Sequence, residues 1–597
     1  MDVTANPAVD VARPLAGTVV RASGDSLALR VAAARLHALG CTVERGGAAP
    51  AGAPAGRLAA VRGPFGGARP ECRIGWSGPV RVPMRGEHDV QAACGVMQVH
   101  GRAAGGPRVL PVDFASVCAG VLAAQAFTAG ALAALHGRTD VAATTSVAQA
   151  AALALTQYVA VATAEPGAGR PSPAPFAGAE RTPPFRSSDG VRFEIETFDA
   201  ERWLGFWTAL GADRAAIVRG WPPFRQRFGT ATCALPPELG KTAGEHDYRT
   251  LRAAAEAANV SVVPIRDTTA PPPPAPTSPW RLTPLTPPPA PDSPCSASDP
   301  PPASGSAPAS GTRCSASVEV SRPVVPCSAS GSTLWPGPAV SGGGGDGGPL
   351  AGVRVVESTN RVQGPLAGHL LGLLGADVVR LEPPGGDPLR GVPPMGGDGE
   401  CSARFLALNR GKAAVEADLK SAAGRDAALR LAASADVFLQ NWPPGRAARF
   451  RLDAADLPSL VYAHAGGWAD ALPAPQPMGT DYLVQAHSGV AALVSGPTLM
   501  TITDVLGGLI AAEGAVAALF ARARTGAGVR VETALIDAAR LLREAVHSPV
   551  DGPPRAPVVS DLAAMAADPA YAAVFETDGA ASYSRAPWTF DRTRELP

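Results

Sequence analysis

The chain repeats itself. Written over Pro349-Leu-Ala-Gly, the segment opening at Pro14-Leu-Ala-Gly runs without gaps to Arg45 opposite Arg380, and 12 of 32 positions are identical, Gly40 with Gly375 and Val43 with Val378 among them. Farther along, Glu87-His-Asp-Val-Gln-Ala-Ala-Cys-Gly-Val answers Asp481-Tyr-Leu-Val-Gln-Ala-His-Ser-Gly-Val. Each of these blocks leads into a short strand-like piece ending in aspartate, Val109-Leu-Pro-Val-Asp113 and Met500-Thr-Ile-Thr-Asp504, and then into a long Ala-rich helix. Blocks that recur in the same order imply an internal duplication, so the two halves are expected to share a fold.

Between the halves the composition breaks. Most of the stretch from about 267 to 348 is Pro-rich, then Ser/Ala/Pro-rich, and it closes on Ser341-Gly-Gly-Gly-Gly-Asp-Gly-Gly. Such a segment cannot bury enough apolar surface to offset the entropy of ordering it, and a disordered linker is expected at 269–348. Three of the nine cysteines, Cys295, Cys314 and Cys327, open Cys-Ser-Ala-Ser copies there. With no Cys-x-x-Cys pair anywhere, a disulfide scaffold and a zinc ribbon are excluded, and free thiols point to a reducing cytoplasm. The N-terminus shows neither a basic nor an apolar leader region, so no signal peptide is read.

Charge narrows the function classes. Fifty-two Lys+Arg balance 52 Asp+Glu, which argues against a nucleic-acid or anionic-membrane binder, since either needs a basic surplus. Residues 114–136 carry no Asp, Glu, Lys or Arg and are long enough to cross a bilayer. They are mostly Ala and Gly, however, and are expected to be a buried helix rather than a span. Only Lys241, Lys412 and Lys420 are lysines, so the last two, eight residues apart, draw attention as compact cations suited to a phosphate.

The second half reads as α/β. Residues 353–358 and 376–381 are apolar strands around a helix at 365–374 that opens on proline, a β-α-β unit expected to be parallel and right-handed. Further strands are expected at 435–440 and 460–463, and helices at 425–433 and 507–524. The first half carries an additional α+β piece over 191–265. The first β-α turn holds only Gly364 and Gly368, with proline between them, which is the wrong pattern for a dinucleotide-binding turn. It does place Gln363 at the carboxyl end of a strand, where open α/β sheets bind ligands.

These motifs resemble the class III CoA-transferases, the carnitine CoA-transferase, formyl-CoA transferase and α-methylacyl-CoA racemase superfamily. The resemblance is carried by Val362-Gln-Gly-Pro-Leu-Ala-Gly, Leu374-Gly-Ala-Asp-Val-Val-Arg-Leu-Glu-Pro-Pro-Gly-Gly-Asp, Asn409-Arg-Gly-Lys, Ala435-Asp-Val-Phe-Leu-Gln-Asn-Trp-Pro-Pro-Gly, Gly479-Thr-Asp-Tyr and Arg524-Thr-Gly-Ala-Gly. It implies two related Rossmann-like, three-layer α/β repeats with a small α+β domain. The expected division is a degenerate repeat at 12–185, the small domain at 186–268, the linker at 269–348, the catalytic repeat at 349–545, and a tail at 546–597 packing on the large domain.

By resemblance Asp504 is the catalytic carboxylate, Gln363 serves the thioester end of CoA, Asn441 and Arg449 the pantetheine and phosphate path, and Arg380 the nucleotide. Lys412 and Lys420 join them as expected CoA-phosphate ligands, and Thr480, Asp481, Gly507 and Gly508 as walls of the site. Asp504 is expected to cap a helix beginning at Val505, where backbone amides favour the anion. Coenzyme A is a substrate in this chemistry, and no metal or redox cofactor is expected. The partners are then an acyl-CoA and a carboxylic acid, with no nucleic acid and no membrane.

Thr480 stands where racemases of this superfamily have histidine, and threonine cannot cycle a proton near pH 7. A CoA-transferase is therefore expected before a racemase, with an inactive binding or assembly protein as a third reading. The first half lacks the Gln-Gly-Pro loop, the Glu-Pro-Pro turn and the Asn-Arg-Gly-Lys motif, while Asp113 persists where the alignment puts Asp504. The duplication suggests an intramolecular pseudo-dimer, itself free to pair again as a homodimer, with one working site, in the second half.

Overall fold

The computed structural model describes residues 9–46, 55–164, 183–267, 278–285, 347–397, 399–546 and 552–591. The duplication is visible as two α/β sheets. In the first half β1 (Val19–Ser23), α1 (Leu27–Ala38) and β2 (Thr42–Arg45) form a β-α-β unit with parallel strands, Val20 beside Val43. Then follow β3 (Gly56–Arg62), β4 (Glu71–Gly75), α2 (Glu87–Ala93), α3 (Phe114–Leu135) and β5 (Ala142–Ser146). Here β3 runs antiparallel to both neighbours, and β4 and β5 are parallel. Leu58, Cys72 and Ile74 are buried, whereas Arg21, Arg57, Val61 and Arg73 are exposed.

The second sheet begins with an unexpected element. Residues 280–284, inside the expected linker, form β6 (Trp280–Pro284). Trp280 and Leu282 alternate inward, and the strand lies antiparallel on an edge with Thr533 opposite Trp280. Its prolines hide it from a composition reading, yet they suit an edge, where only one side of the strand must bond. Residues 269–277 and 286–346 of the expected linker lie outside the described ones, Cys295, Cys314 and Cys327 among them.

The other strands are β7 (Arg354–Ser358), β8 (Asp377–Glu382), β9 (Ala413–Glu416), β10 (Val437–Gln440), β11 (Val461–Gly466) and β12 (Val529–Ala534), in the spatial order β9-β8-β7-β10-β11-β12-β6 and parallel except for β6. Both faces are covered. Val355, Leu439 and Val461 join one core with α4 (Gln363–Leu373) and α6 (Ile502–Thr525); Val356, Phe438 and Tyr462 join a second with the helix Ala422–Ala433. This is the three-layer arrangement expected of a parallel sheet. Helix α5 (Asp481–Ser488) precedes α6.

The two halves exchange strands. After the small domain the chain bonds to the second half (Arg266 N to Ala486 O, 2.9 Å) and then supplies β6 to the second sheet. After the second half the chain bonds to the first (Val559 N to Ala92 O, 2.9 Å) and supplies β13 (Trp588–Asp591) to β5, with Trp588 opposite Thr145. Ala92 and Ala486 are equivalent positions of the repeat. Each sheet thus takes an edge strand from the chain that follows the other half. The tail packs chiefly on the first half rather than on the catalytic repeat: besides β13, Ser582 and Ser584 bond to Thr163 and Thr156.

Helices α3 and α6 are long and apolar enough to span a membrane, but both lie inside the protein, 100% and 94% buried over their most apolar windows. Helix α6 is tied to the first half by a fully buried ion pair, Arg35 Nε to Glu513 Oε1 at 2.8 Å, with the guanidinium 4.7 Å from the Trp280 ring centre. Small residues make the helix contacts possible. A Cβ on Gly120 of α3 would stand 2.6 Å from the carbonyl oxygen of Ala28 in α1. Gly120→Val is expected to cost ~1–3 kcal/mol, the usual penalty for overpacking a core, read as a lowered urea midpoint; an unchanged midpoint would show that the contact is not tight.

The small domain, 183–267, has its own core of Trp203, Phe206, Trp207, Phe185, Phe193 and Leu251 beneath the three-stranded sheet Phe185–Arg186, Arg192–Glu196 and Ser261–Pro264. It sits on α5. Buried Arg227 bonds Glu194 (2.7 Å) and Glu196 (3.3 Å), and its guanidinium lies between the rings of Phe224 and Tyr482, at 4.1 and 4.4 Å.

Candidate active site

Between the small domain and the carboxyl ends of the second sheet lies a cleft of about 1370 Å³. Asp504, Thr480, Asp481, Gln363 and Asn441 line it, and the small domain contributes Glu196, Phe198, Phe224 and Arg225. A small-molecule site usually measures roughly 300–1,000 Å³, so this one suits a larger ligand.

Asp504 is not the helix cap. The N-cap position of α6 falls to Thr501, and Asp504 is the third helical residue. The capping carboxylate belongs to Asp481, which accepts from Thr503 N (2.7 Å), Thr503 Oγ1 (2.6 Å), Asp504 N (2.8 Å) and Gln485 Nε2. Four donors stabilise Asp481 as an anion, although burial still pushes its pKa up to about 6. No hydrogen bond to the Asp504 carboxylate is found among the described residues. Burial, and then the charge of Asp481, push Asp504 well above the usual carboxylate range, and Arg361 opposes them. The helix N-terminus favours the anion by only about 0.3–1 kcal/mol, too little to reverse burial and a neighbouring charge. Asp504 is therefore the member of the pair that carries the proton more readily.

The first half reproduces this cap with different residues. Glu87 accepts from Ala115 N (3.0 Å), Ser116 N (2.8 Å), Ser116 Oγ (2.6 Å) and Gln91 Nε2 (3.1 Å). Gln91 pairs with the backbone of Leu110 as Gln485 pairs with that of Thr498. Counting forward from Leu110 and from Thr498, Ser116 stands where Asp504 stands. Asp113 matches Thr501, and both are N-caps with similar backbone angles (φ −76°, ψ 56° and φ −66°, ψ 64°). The expected equivalence of Asp113 and Asp504 is thus displaced by three residues.

Gln363 opens α4 and donates Nε2 to Gly466 O at 3.2 Å. Asn441 faces the cleft, but its amide is spent on the backbone of Asn360, accepting from N (3.1 Å) and donating to O (3.0 Å). Thr480 Oγ1 is buried without a hydrogen-bond partner. Gly507 and Gly508 line no part of the cleft. They let α6 meet α4, since a Cβ on Gly508 would stand 2.8 Å from the carbonyl oxygen of Gln363.

Four expected CoA ligands lie elsewhere. Arg380 is 2% exposed and bonded to Glu357 (2.6 Å), Glu382 (3.0 Å), Asp387 (3.0 Å), Asn409 (2.6 Å) and Thr359 O (3.2 Å). Lys412 is buried beside it and donates to Glu357 (3.0 Å), Pro365 O (2.7 Å) and Asn409 (3.1 Å), with burial lowering its pKa to about 8. The compact ammonium serves an internal carboxylate rather than a phosphate. Gly368 leaves the space, for its Cβ would overlap Glu357 Oε2. Lys420 and Arg449 are exposed and do not line the cleft; Arg446, three residues before Arg449, does.

Two nearby histidines are occupied. His464 Nε2 is 3.3 Å from Trp442 O and is pulled down in pKa by burial. His487 packs edge-on against Trp468 and is lowered to about 4 by burial. Among the described residues no group of three or more His, Cys, Asp or Glu side chains gathers as a metal site. Sequence reasoning missed Arg361 and the small-domain residues. The signal for Arg361 was its place in the loop after β7, two residues before Gln363.

A family model described as CoA-transferase family III matches residues 75–270 and 350–570, well over half of the chain. A succinate–glutarate CoA-transferase of Agrobacterium fabrum (strain C58) is 35% identical over 205 residues, 32% of this chain and 51% of that protein. An acetyl-CoA:oxalate CoA-transferase of Acetobacter aceti is 33% identical over 202 residues, with the same shares covered. A solved CAIB/BAIF family protein from Brucella suis is 34% identical over 32% of this chain and 55% of its own, with a TM-score of 0.31. The chain spans about half the length of the curated relatives it matches.

Proposed function

The chain belongs to CoA-transferase family III, and from that premise we propose that it moves coenzyme A from an acyl-CoA to a carboxylic acid, with Asp504 as the covalent carrier. The observation that carries the reading is a half-buried carboxyl, unbonded among the described residues, on the first turn of a helix inside a cleft large enough for CoA.

The ionised carboxylate of Asp504 attacks the thioester carbon, and CoA leaves as thiolate from a mixed anhydride. The thiolate attacks the Asp504 carbonyl and releases the donor acid, leaving an aspartyl-CoA thioester. An incoming carboxylate reverses both steps. Each intermediate is open to hydrolysis, so a site walled by the small domain has a purpose beyond binding. Asp481 holds the first turn of α6 by its amides and so fixes the Asp504 backbone. The acids in the names of the relatives, succinate, glutarate and oxalate, are the first acceptors to test.

One site per chain follows from two features: Ser116 in place of Asp504, and no counterpart of the small domain among the described residues between α6 and β13. The racemase reading loses support because Thr480 is no base and His464 and His487 are otherwise engaged.

The test is trapping. After incubation with an acyl-CoA and then hydroxylamine, mass spectrometry should find the hydroxamate on the Asp504 peptide alone. No adduct would remove the transferase reading. An adduct on the peptides holding Glu87 or Asp113 would remove the single-site reading.

A further inference from the structure

Arg361 lines the cleft and has no hydrogen-bonded or ion-paired partner among the described residues. It follows the β7 strand and has a left-handed backbone, φ +66°, which a residue with a side chain adopts only when its surroundings enforce it. The surroundings do. Arg380 Nη2 bonds Thr359 O, and Asn441 bonds both the N and the O of Asn360. The residues once expected to bind CoA instead fix the loop that presents Arg361. Its guanidinium lies over the ring of Phe198, 3.1 Å from the ring centre, and makes no hydrogen bond or ion pair among the described residues. Phe198 belongs to the small domain and is 42% exposed. Asp504 and Glu196 lie within its electrostatic reach. An unpaired, partly desolvated cation on a constrained loop is a site prepared for an anion, and a planar guanidinium matches a carboxylate through two parallel bonds.

We propose that Arg361 is the receptor for the reacting carboxylate, holding in turn the acid that leaves the donor and the acid that replaces it. This deepens, and rests on, the reading of Asp504 as the CoA carrier. A bound acceptor places one carboxylate oxygen to attack the Asp504 thioester carbon. The new C–O bond forms as the C–S bond breaks, and CoA departs as thiolate with the electron pair. The thiolate then attacks the acceptor's acyl carbon, the C–O bond to Asp504 breaks, and Asp504 regains its negative charge. No proton moves. Arg361 offsets the repulsion between the incoming anion and the Asp481–Asp504 pair, and it does so for any carboxylic acid, whatever the rest of the molecule.

Arg361→Gln and Arg361→Gly test this in the full chain. Glycine accepts φ +66° without strain, so the second variant loses the guanidinium without burdening the fold. In both, the KM for acetate and for succinate is expected to rise ~10–100-fold, the loss that goes with a charged hydrogen bond, while the KM for acyl-CoA holds. Quenching of the cleft tryptophans Trp280, Trp442 and Trp468 on titration with acetate or succinate should weaken by the same factor, and this readout needs no turnover. Loss confined to succinate would place Arg361 at a remote carboxylate and overturn the proposal, as would unchanged binding of both acids. Acid binding that depends on Arg361, in a wild-type chain that never exchanges CoA, would uphold the carboxylate site and sink the transferase reading alone.

Discussion

Asp504→Asn is expected to lower CoA exchange by on the order of 10⁴–10⁶-fold, the scale on which removal of a covalent nucleophile acts, and to leave a chain more heat-resistant than the wild type at pH 8. The two effects share a cause. Asparagine has nearly the same shape but cannot form the anhydride. It also removes a carboxyl whose folded pKa is raised by burial and by Asp481. A group with a raised folded pKa favours the native state below its unfolded pKa, near 3.9, and that contribution is lost as the pH climbs through the folded value. The loss amounts to ~1.4 kcal/mol for each unit by which the pKa is raised. The gain in Tm from Asp504→Asn should therefore be present at pH 8 and vanish near pH 4. In the wild type, kcat/KM for acyl-CoA should rise with pH as Asp504 ionises. Retained exchange in Asp504→Asn would remove Asp504 from the chemistry; a Tm gain equal at both pH values would deny its elevated pKa.

Arg380→Met is expected to destabilise the second half by roughly 3–5 kcal/mol, the cost of breaking a buried ion cluster from one side. Glu357, Glu382 and Asp387 all bond this guanidinium. Without it, Lys412 still bonds Glu357 and Arg390 still bonds Glu382, but three carboxylates then share two cations in a dry interior. Methionine fills much of the volume, so the loss reports charge rather than a cavity. Urea unfolding followed by tryptophan fluorescence measures it. Because Arg380 does not reach the cleft, the folded fraction should keep its KM for acyl-CoA. A raised KM with full stability would restore Arg380 to the nucleotide site that its motif suggested.

The contrast between Asp504 and Arg380 shows where the amino-acid sequence is legible. Asp504 was placed by resemblance and does line the cleft; the local cue, an apolar strand-like piece, an aspartate and a long helix, marks only where α6 begins. The β-α-β unit of the second half and the repeat itself are local in the same sense, and the structure has both. Arg380 and Lys412 were misplaced because their partners are distant in the chain; nothing near Arg380 announces that Glu357 and Asn409 converge on it. The pairing of Asp113 with Asp504 failed differently. A shared aspartate anchored the alignment, whereas the structure is anchored by Gln91 and Gln485, whose bonds to Leu110 and Thr498 set the count to the helix. Trp280–Pro284 was hidden by the prolines around it, and only its pairing with Val529–Ala534 makes it a strand.

The swapped edge strands govern how such a chain can be born. The first sheet is closed by Trp588–Asp591, made more than 400 residues after Ala142–Ser146. Its outer edge must wait bare while those residues are made, and any truncation upstream of Trp588 leaves it open to a neighbouring molecule. The half that is made first is thus sealed only by a strand made after the whole of the second half.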